Sequence, residues 1–233
     1  MGVDIKTIIL HCKTLPERKQ NILAQMERHK FSNYSFYEEF DGNELTNTDI
    51  EKYHKRKQSD WNTVRQKLKI YETIHPEAIY TQRELNLPQI SLTIKHGKVY
   101  ELLAKESDEY FIIFEDDAIL CDDFETRFYQ YLSQTPNDWD IVYFGSGCNL
   151  KPKNTTPDKI VYKMEHPASR CTDSMLVKKT AVSQLAKTWF PFNFVCDWEL
   201  GYQQFLHQHN VYWWEPPLVV QGSVCGLYPT TLR

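Results

Sequence analysis

The chain has 233 residues, of which 41% are hydrophobic and 14% aromatic, so it can bury a substantial core. Its net charge of -4 and pI near 6.1 argue against a nucleic-acid-binding protein, which normally carries a basic face. No apolar run reaches transmembrane length and the first residues lack a signal-peptide pattern, so we expect a globular cytoplasmic protein with no transmembrane segment.

The first part of the chain alternates short apolar runs with an amphipathic segment. Residues 6–11 are typical of a buried strand, and residues 31–40 alternate aromatic and polar side chains like a second strand. Between them, residues 15–29 predict a helix with Pro16 in its first turn. The sequence Asp-Gly-Asn at 41–43 then turns the chain.

Residues 46–90 differ from their surroundings because they are mostly polar and charged. Helical pieces are expected at 49–57 and 60–72, and no parallel strand is evident. We therefore predict one domain over 1–233 with a helical insertion at 46–90.

The rest of the chain predicts strands that alternate with helices, which is typical of a layered α/β fold. Helices are expected at 91–105, 179–188 and 198–208, and strands at 110–114, 138–145, 174–177, 211–214 and 218–220.

The six cysteines are dispersed, with no CxxC pair and no Cys/His spacing of a metal site. We expect most of them to be reduced and packed. They are Cys12, Cys121, Cys148, Cys171, Cys196 and Cys225.

Three consecutive carboxylates, Glu115, Asp116 and Asp117, follow directly on the apolar run at 110–114. In isolation an acidic triplet is often a solvated turn. A buried strand that ends in three acids instead predicts a site for Mg²⁺ or Mn²⁺, because hard oxygens suit these cations and strand ends in α/β sheets bind ligands.

Several common motifs are missing: GxxxxGK[ST], GxGxxG, GxSxG and HExxH. A glycine-rich phosphate loop is therefore not expected. A carboxylate-held metal can bridge the phosphates of a ligand instead.

Ordered landmarks along nearly the whole chain resemble those of glycosyltransferase family 25, which includes lipooligosaccharide and collagen-type galactosyltransferases. The segment 15–19 resembles the family's opening element with its arginine at Arg18, although His11 and Cys12 replace the usual Asn-Leu. The turn at 41–42 and the segment 114–118 resemble its Asp-Gly turn and its acidic motif.

Later landmarks continue the resemblance. The helix with His96 is similar to the family's Ser-His helix, with Lys95 in place of serine. Residues 172–177 resemble the loop over the donor sugar, Asp197 lies where the family has a late acidic residue, and 216–221 resembles its closing strand.

The resemblance implies a GT-A-like fold, with a mixed central sheet flanked by helices in a single domain. It also implies inverting transfer of a hexose, galactose or glucose, from a UDP-sugar to the hydroxyl of a glycan or glycoprotein acceptor, often with Mn²⁺. A bacterial or virus-encoded enzyme fits this chain better than one of the secretory lumen.

Within that scheme, we expect Asp117 to bind the cation and Glu115 or Asp116 to contact the ribose or a metal-bound water. An inverting transfer also needs a general base, for which Asp197 is the first candidate and Glu199 the second. Other donor-binding candidates are Arg18, Asp41, Gly42, His96 and Asp173.

Each of these residues also has a structural interpretation. Asp197 could be a helix N-cap and Glu199 a partner of the helix dipole. Arg18 could pair with Glu17 or Glu27, His96 could be an ordinary helix residue, and Asp41 could only shape its turn.

One departure from related enzymes concerns the metal. Many GT-A enzymes supply a late histidine as a ligand, but no histidine follows Pro217. Gln221 or Ser223 could fill that space, or Asp117 could hold the metal with phosphates and water.

A group of aromatic residues invites two interpretations. The rings could stack on acceptor sugars or form a plain core. They are Trp189, Phe190, Phe192, Trp213 and Trp214.

Two other functions remain open from the sequence. A metal-dependent phosphohydrolase or nucleotidyltransferase would also use a carboxylate cradle, but it usually needs a second carboxylate cluster. A catalytically silent sugar-nucleotide-binding module would keep the fold and bind donor without turnover.

Overall fold

The computed structural model describes residues 2–54, 84–165 and 170–230. Within them, seven strands form a central sheet and two form a small separate sheet. The strands are β1 (Thr7–Leu10), β2 (Tyr34–Tyr37), β3 (Tyr110–Glu115), β4 (Ala118–Leu120), β5 (Ile141–Tyr143), β6 (Val161–Lys163), β7 (Ser174–Lys178), β8 (Val211–Trp214) and β9 (Val219–Gln221). The α-helices are α1 (Pro16–Arg28), α2 (Asn47–Tyr53), α3 (Leu87–Leu103), α4 (Phe124–Gln134), α5 (Lys179–Thr188) and α6 (Cys196–His207).

The central sheet is mixed, with the order β2-β1-β3-β7-β5-β8-β6. Strands β2, β1, β3, β5 and β8 run in one direction, whereas β7 and β6 run antiparallel to their neighbours. The carboxyl ends of five strands and the amino end of β7 therefore meet at one edge. The predicted α/β fold with a mixed central sheet flanked by helices is confirmed.

Helices cover both faces of this sheet because its strands are apolar on both sides. In β3, Phe111 and Ile113 pack into the cluster that contains residues of α3, α5 and α6. Ile112 and Phe114 point to the other face and pack with residues of α1 and α4. All four side chains are fully buried, which stabilises the fold by about 1.5–3 kcal/mol for each.

Most predicted elements agree with the structure to within a few residues. Helix α5 has the expected bounds, whereas α6 begins at Cys196, two residues before the prediction. Strand β9 joins β4 in the small sheet and not the central one. Three of these elements were missed: α4, whose buried face is entirely aromatic, and the three-residue strands β4 and β6.

Part of the predicted insertion can be compared with the structure. Helix α2 overlaps the helical piece expected at 49–57 but begins two residues earlier, at Asn47, where a capping box between Thr46 and Asp49 fixes its start. The helical piece expected at 60–72 lies outside the described residues.

The cysteines agree with the prediction of reduced thiols but less well with that of packed ones, since among the described side chains only Cys196 is buried and Cys225 is exposed. Those with a described side chain are free thiols: Cys12, Cys121, Cys171, Cys196 and Cys225. Across the described ranges, no helix combines the length and apolar character needed to cross a membrane.

The aromatic residues near α5 and β8 belong to the core. Trp189, Phe192 and Trp214 are completely buried, Trp213 is 5% exposed, and Phe190 packs at the edge of the same core. Nε1 of Trp189 donates a hydrogen bond of 2.9 Å to the carbonyl oxygen of Thr93 in α3. This ring therefore connects α5 to α3 and is not available to a sugar.

The close contact between α3 and Trp189 depends on Gly97. A larger residue at this position should therefore reduce stability. An alanine there would place its Cβ 2.2 Å from Cδ1 and 2.7 Å from Nε1 of Trp189. Alanine normally stabilises a helix by up to about 1 kcal/mol relative to glycine. Because overpacking destabilises by about 1–3 kcal/mol, we expect Gly97→Ala to lower the free energy of unfolding in urea.

The matched control for this variant is Leu102→Ala in the same helix, because Leu102 is 45% exposed. Its free energy of unfolding should change by no more than about 0.5 kcal/mol. A Gly97→Ala protein as stable as the wild type would contradict the packing described here.

Candidate active site

A cavity of about 980 Å³ opens at the sheet edge where β1 and β3 end. Its wall includes residues of α1, α3, the amino-terminal turn of α6 and the segment 221–230. The volume is that of a site for a small organic ligand. The position, at the carboxyl ends of parallel strands, is where open α/β sheets bind ligands.

The acidic triplet lies in this wall and is not a solvated turn. Glu115, Asp116 and Asp117 are 9%, 6% and 2% exposed, respectively. Burial of three adjacent carboxylates is unfavourable unless donors or cations compensate each charge. The structure compensates them very unequally.

Asp116 is the well-compensated member of the triplet. Its Oδ2 accepts hydrogen bonds from Nδ1 of His11 at 2.8 Å and the backbone N–H of Cys12 at 3.1 Å, and its Oδ1 accepts one from Arg18 at 3.1 Å. Burial by itself raises the pKa of Asp116, but these donors outweigh it and hold the pKa below its usual value. Asp116 thus joins β3 to β1 and α1. Both of its carboxylate oxygens are used in these contacts, so it is poorly placed to bind a ligand.

Asp117 is the poorly compensated member. Its Oδ2 accepts one hydrogen bond of 3.2 Å, from the backbone N–H of Ser223, and lies 4.0 Å from Nη1 of Arg18. Its Oδ1 is buried and has no hydrogen-bond partner within the part of the chain that the structure describes. Burial and the charge of Glu115 raise the pKa of Asp117 to about 6.

Glu115 is held by two residues, of which Thr172 also lines the cavity. Thr172 Oγ1 donates a hydrogen bond of 2.6 Å to its Oε1, and Nε2 of the fully buried His96 lies 3.6 Å from the same oxygen. The other ring nitrogen of His96 lies 3.4 Å from the hydroxyl of Tyr100. His96 is not part of the cavity wall, so its position suits the support of Glu115 better than contact with a ligand.

Asp173 also lies behind the wall and not in it. It is 1% exposed, and its Oδ2 accepts a hydrogen bond of 3.0 Å from Ser174. The close approach of this carboxylate requires Gly145 at the end of β5, where a Cβ would lie 2.1 Å from Oδ2. Burial and the charge of Glu115 raise the pKa of Asp173 well above its usual value, which favours its neutral form.

Asp41 and Gly42 have separate positions after β2. Asp41 is 1% exposed, and its carboxylate accepts hydrogen bonds from Nζ of Lys95 and, at 2.8 Å, from the backbone N–H of Lys13. Lys95 also donates to the carbonyl oxygen of His11. Asp41 therefore ties the ends of β1 and β2 to α3, while Gly42 and Lys95 line the cavity.

Arg18 is a buried link between the triplet and the segment 221–230. Besides Asp116, its guanidinium donates a hydrogen bond of 2.8 Å to the carbonyl oxygen of Pro229 and lies 5.3 Å from the ring centroid of Tyr228. The described contacts of Arg18 thus favour the acidic site over a pairing with Glu17 or Glu27.

The two candidate bases occupy different environments. Asp197 lines the cavity as the second residue of α6, whose N-cap is Val195, so the N-cap interpretation of Asp197 is wrong. Burial raises the pKa of Asp197 to about 6, although the backbone N–H of Trp198 donates a hydrogen bond of 3.0 Å to its Oδ1. Protonation therefore changes its charge near neutral pH.

Glu199 is completely buried and lies outside the cavity wall. Its carboxylate accepts hydrogen bonds from the backbone N–H of Asn193 at 3.1 Å and from Nε2 of Gln203 at 3.1 Å. These contacts fix the loop before α6 and leave Glu199 without access to an acceptor.

Sequence reasoning did not assign a site role to several residues. His11 and Cys12 bind Asp116, and their position directly after β1 was a signal that could have found them. Trp198 lines the cavity beside Asp197. Ser223 was considered only as a replacement for the missing histidine, whereas it contacts Asp117 through its backbone N–H, which no sequence pattern reveals.

The residues in the wall fit a metal only in part. No group of three or more His, Cys, Asp or Glu side chains is arranged to hold a metal within 2–54, 84–165 and 170–230. The unpartnered, buried Oδ1 of Asp117 nevertheless suits a cation whose other ligands come from a bound molecule and water.

Solved structures that resemble the chain share little sequence with it. A glycosyltransferase involved in the glycosylation of the major capsid of PBCV-1 is 11% identical, covers 94% of both chains and gives a TM-score of 0.43. The inositol-1-phosphate CTP transferase of T. maritima is 8% identical, with a TM-score of 0.43 over 94% of this chain and 89% of that one. Mouse xyloside xylosyltransferase 1 is 9% identical, with a TM-score of 0.37 over 90% and 84%.

Sequence comparison is more informative about the family. No curated protein sequence matches the chain. Residues 4–196 match the family model described as glycosyltransferase family 25 (LPS biosynthesis protein), and this range contains β1, the acidic triplet and the start of α6. The chain, with its buried acidic cavity at the sheet edge, therefore belongs to glycosyltransferase family 25.

Proposed function

We propose that the protein is an inverting glycosyltransferase that moves a hexose, galactose or glucose, from a UDP-sugar to an acceptor hydroxyl, with Mn²⁺ or Mg²⁺ bound at Asp117. The observation that carries this proposal is Asp117, which lines the same cavity as Asp197 and whose buried Oδ1 lacks a hydrogen-bond partner among the described residues. A metal site and a base on one cavity are the two groups that such a transfer needs.

The charge of the cavity wall supports a role for the cation. Among the described residues, four carboxylates line it, those of the triplet and Asp197, against the two cationic side chains of Arg18 and Lys95. Both cations already pair with carboxylates, Arg18 with Asp116 and Lys95 with Asp41. Because the diphosphate of a donor is anionic, a divalent cation is needed to bind it next to this wall.

Each of these residues has a separate role in the proposed reaction. Asp117 holds the cation with Glu115 beside it, and the cation stabilises the charge of the departing diphosphate when bound. Asp116 and Arg18 keep the triplet in place through their hydrogen bonds to β1, α1 and Pro229. Asp197 accepts the proton of the acceptor hydroxyl, because it is the cavity carboxylate that is not committed to β3.

A screen of nucleotide sugars tests the donor and the metal. We expect UDP release from UDP-galactose or UDP-glucose in the presence of Mn²⁺ or Mg²⁺, and its loss when a chelator is added. Release of inorganic phosphate or pyrophosphate instead would indicate a phosphohydrolase or nucleotidyltransferase. Donor binding without turnover would indicate a silent module, and either result refutes the proposal.

The variant Asp117→Asn tests the metal ligand through both activity and stability. The folded protein raises the pKa of this carboxyl to about 6, so the folded state favours its protonated form. The stability that this preference provides is full at low pH and is lost as the pH rises through 6, where the buried carboxyl becomes charged. At pH 7 without metal, we expect Asn to raise the free energy of unfolding by about 1–2 kcal/mol, or roughly 2–8 °C in Tm. Transfer activity should fall to background.

The sign of this effect can be checked against pH. The difference in Tm between Asp117→Asn and the wild type should shrink between pH 7 and pH 5, because the wild-type carboxyl becomes protonated. Asp122→Asn is the control, since the Asp122 side chain is 88% exposed and lies outside the cavity. It should change neither Tm nor transfer; equal behaviour of the two variants would contradict the role of Asp117.

The variant Asp197→Asn tests the general base. We expect kcat for transfer to fall by about 10²–10⁴ while donor binding is retained, because the amide cannot accept a proton. In the wild type, kcat at saturating donor and metal should decrease as the pH falls through about 6, the pKa of Asp197. Stopped transfer assays between pH 5 and 8 measure this pH dependence of kcat.

Glu199→Gln separates the two candidate bases. Loss of its charge should weaken the hydrogen bonds to Asn193 and Gln203 and lower Tm. The folded fraction should keep its kcat. Normal turnover in Asp197→Asn, together with an inactive but folded Glu199→Gln, would reverse the assignment.

A further inference from the structure

Trp198 differs from the other tryptophans that the structure describes. Trp139, Trp189, Trp213 and Trp214 are at most 5% exposed and lie in the core. Trp198 is half-buried and lines the cavity. No other Trp, Tyr or Phe among the described residues lines it.

The geometry of α6 places Trp198 beside the proposed base. Four consecutive residues, 195–198, line the cavity. Successive side chains of a helix point about 100° apart, so this happens only when the end of the helix, and not its flank, faces the cavity. The backbone N–H of Trp198 also donates to Oδ1 of Asp197 at 3.0 Å, which fixes the two residues relative to each other.

The charge of the cavity restricts what can bind against this ring. The wall carries Asp197 and the acidic triplet, and its cations are paired. These carboxylates would repel an anionic acceptor group next to Trp198, and a cationic group would compete with the metal for them. A neutral ligand with an apolar face and polar edges fits, and Val195 and Val224 extend the apolar surface on the cavity wall.

We propose that Trp198 is the stacking surface for a neutral sugar ring of the acceptor, so that the acceptor is a glycan and not a bare protein hydroxyl. The proposal rests on the transferase function above. The axial C–H groups of a pyranose pack against the face of the indole, and its hydroxyl groups remain at the ring edge. One of these hydroxyls then lies next to Asp197, where its proton is accepted.

Binding can be tested on the wild-type protein without a donor. The indole N–H signals of ¹⁵N-labelled protein are recorded during titration with the methyl glycosides of galactose, glucose, mannose and N-acetylglucosamine. The signal of Trp198 is identified by its loss in Trp198→Phe. We expect at least one glycoside to shift this signal while that of the buried Trp139 stays unchanged.

Two results of this titration would overturn the proposal. One is that no glycoside shifts the Trp198 signal. The other is that a peptide with serine, threonine or hydroxylysine shifts it when no glycoside does, which would indicate a protein acceptor.

Kinetics test whether the contact serves transfer. With a glycoside that binds, Trp198→Ala should raise the acceptor KM about tenfold or more, whereas Trp198→Phe should restore most of the affinity. The Kd of the UDP-sugar, measured without acceptor, should change much less than the acceptor KM in both variants, because the acidic triplet that is proposed to bind the donor and the metal is not altered.

Phe205→Ala is the matched control, because Phe205 lies in the same helix, is 37% exposed and does not line the cavity. Its acceptor KM should equal that of the wild type. An unchanged acceptor KM in Trp198→Ala would refute the stacking role. If no UDP-sugar is bound or hydrolysed by the wild type, the transferase function fails, and the titration still decides whether Trp198 binds sugar.

Discussion

The burial of three adjacent carboxylates at the end of β3 is the constraint on which the site depends. Such charges resist burial, and the fold compensates them with donors from several distant elements. Asp116 takes most of these donors, from His11, Cys12 and Arg18. Asp117 receives one backbone N–H and keeps a buried oxygen unpartnered within the described residues. Because of this difference in hydrogen bonding, Asp116 stabilises the structure, whereas Asp117 is available to a ligand.

The surrounding polar residues make this arrangement rigid. Lys95 joins Asp41 and the end of β1 to α3, His96 and Thr172 support Glu115, and Arg18 reaches the segment 221–230 through Pro229. Burial raises the pKa of Asp117, Asp173 and Asp197, so the charged forms of these carboxyls are disfavoured in the folded protein. The apolar clusters on both faces of the sheet stabilise the fold enough to tolerate it. This is the usual relation between an active site and its scaffold.

Six of the ten site residues predicted from the sequence line the cavity: Arg18, Gly42, Glu115, Asp116, Asp117 and Asp197. Glu115 or Asp116 was expected to contact the ribose or a metal-bound water, whereas the hydrogen bonds of Asp116 connect it to β1 and α1. Asp173 and His96 were expected to contact the donor, yet both lie behind the wall. The aromatic residues considered for sugar stacking are core residues, while Trp198 lines the cavity. A sequence pattern shows which residue types are near a strand end, but not which side of the wall they face.

The sequence by itself determined the alternation of strands and helices and the position of the acids after β3, because apolar periodicity and strand-end polarity are local properties. Its ordered landmarks also identified the family, which the match over 4–196 confirms. Only the tertiary structure decided which carboxylates are neutralised, since their partners lie up to 106 residues away along the chain. It also decided that Trp198 shares the cavity with Asp197, because that follows from the direction in which α6 meets the sheet edge. The packing of the whole chain decides which distant residues meet and in which direction a helix points. A local sequence pattern contains no information about that packing.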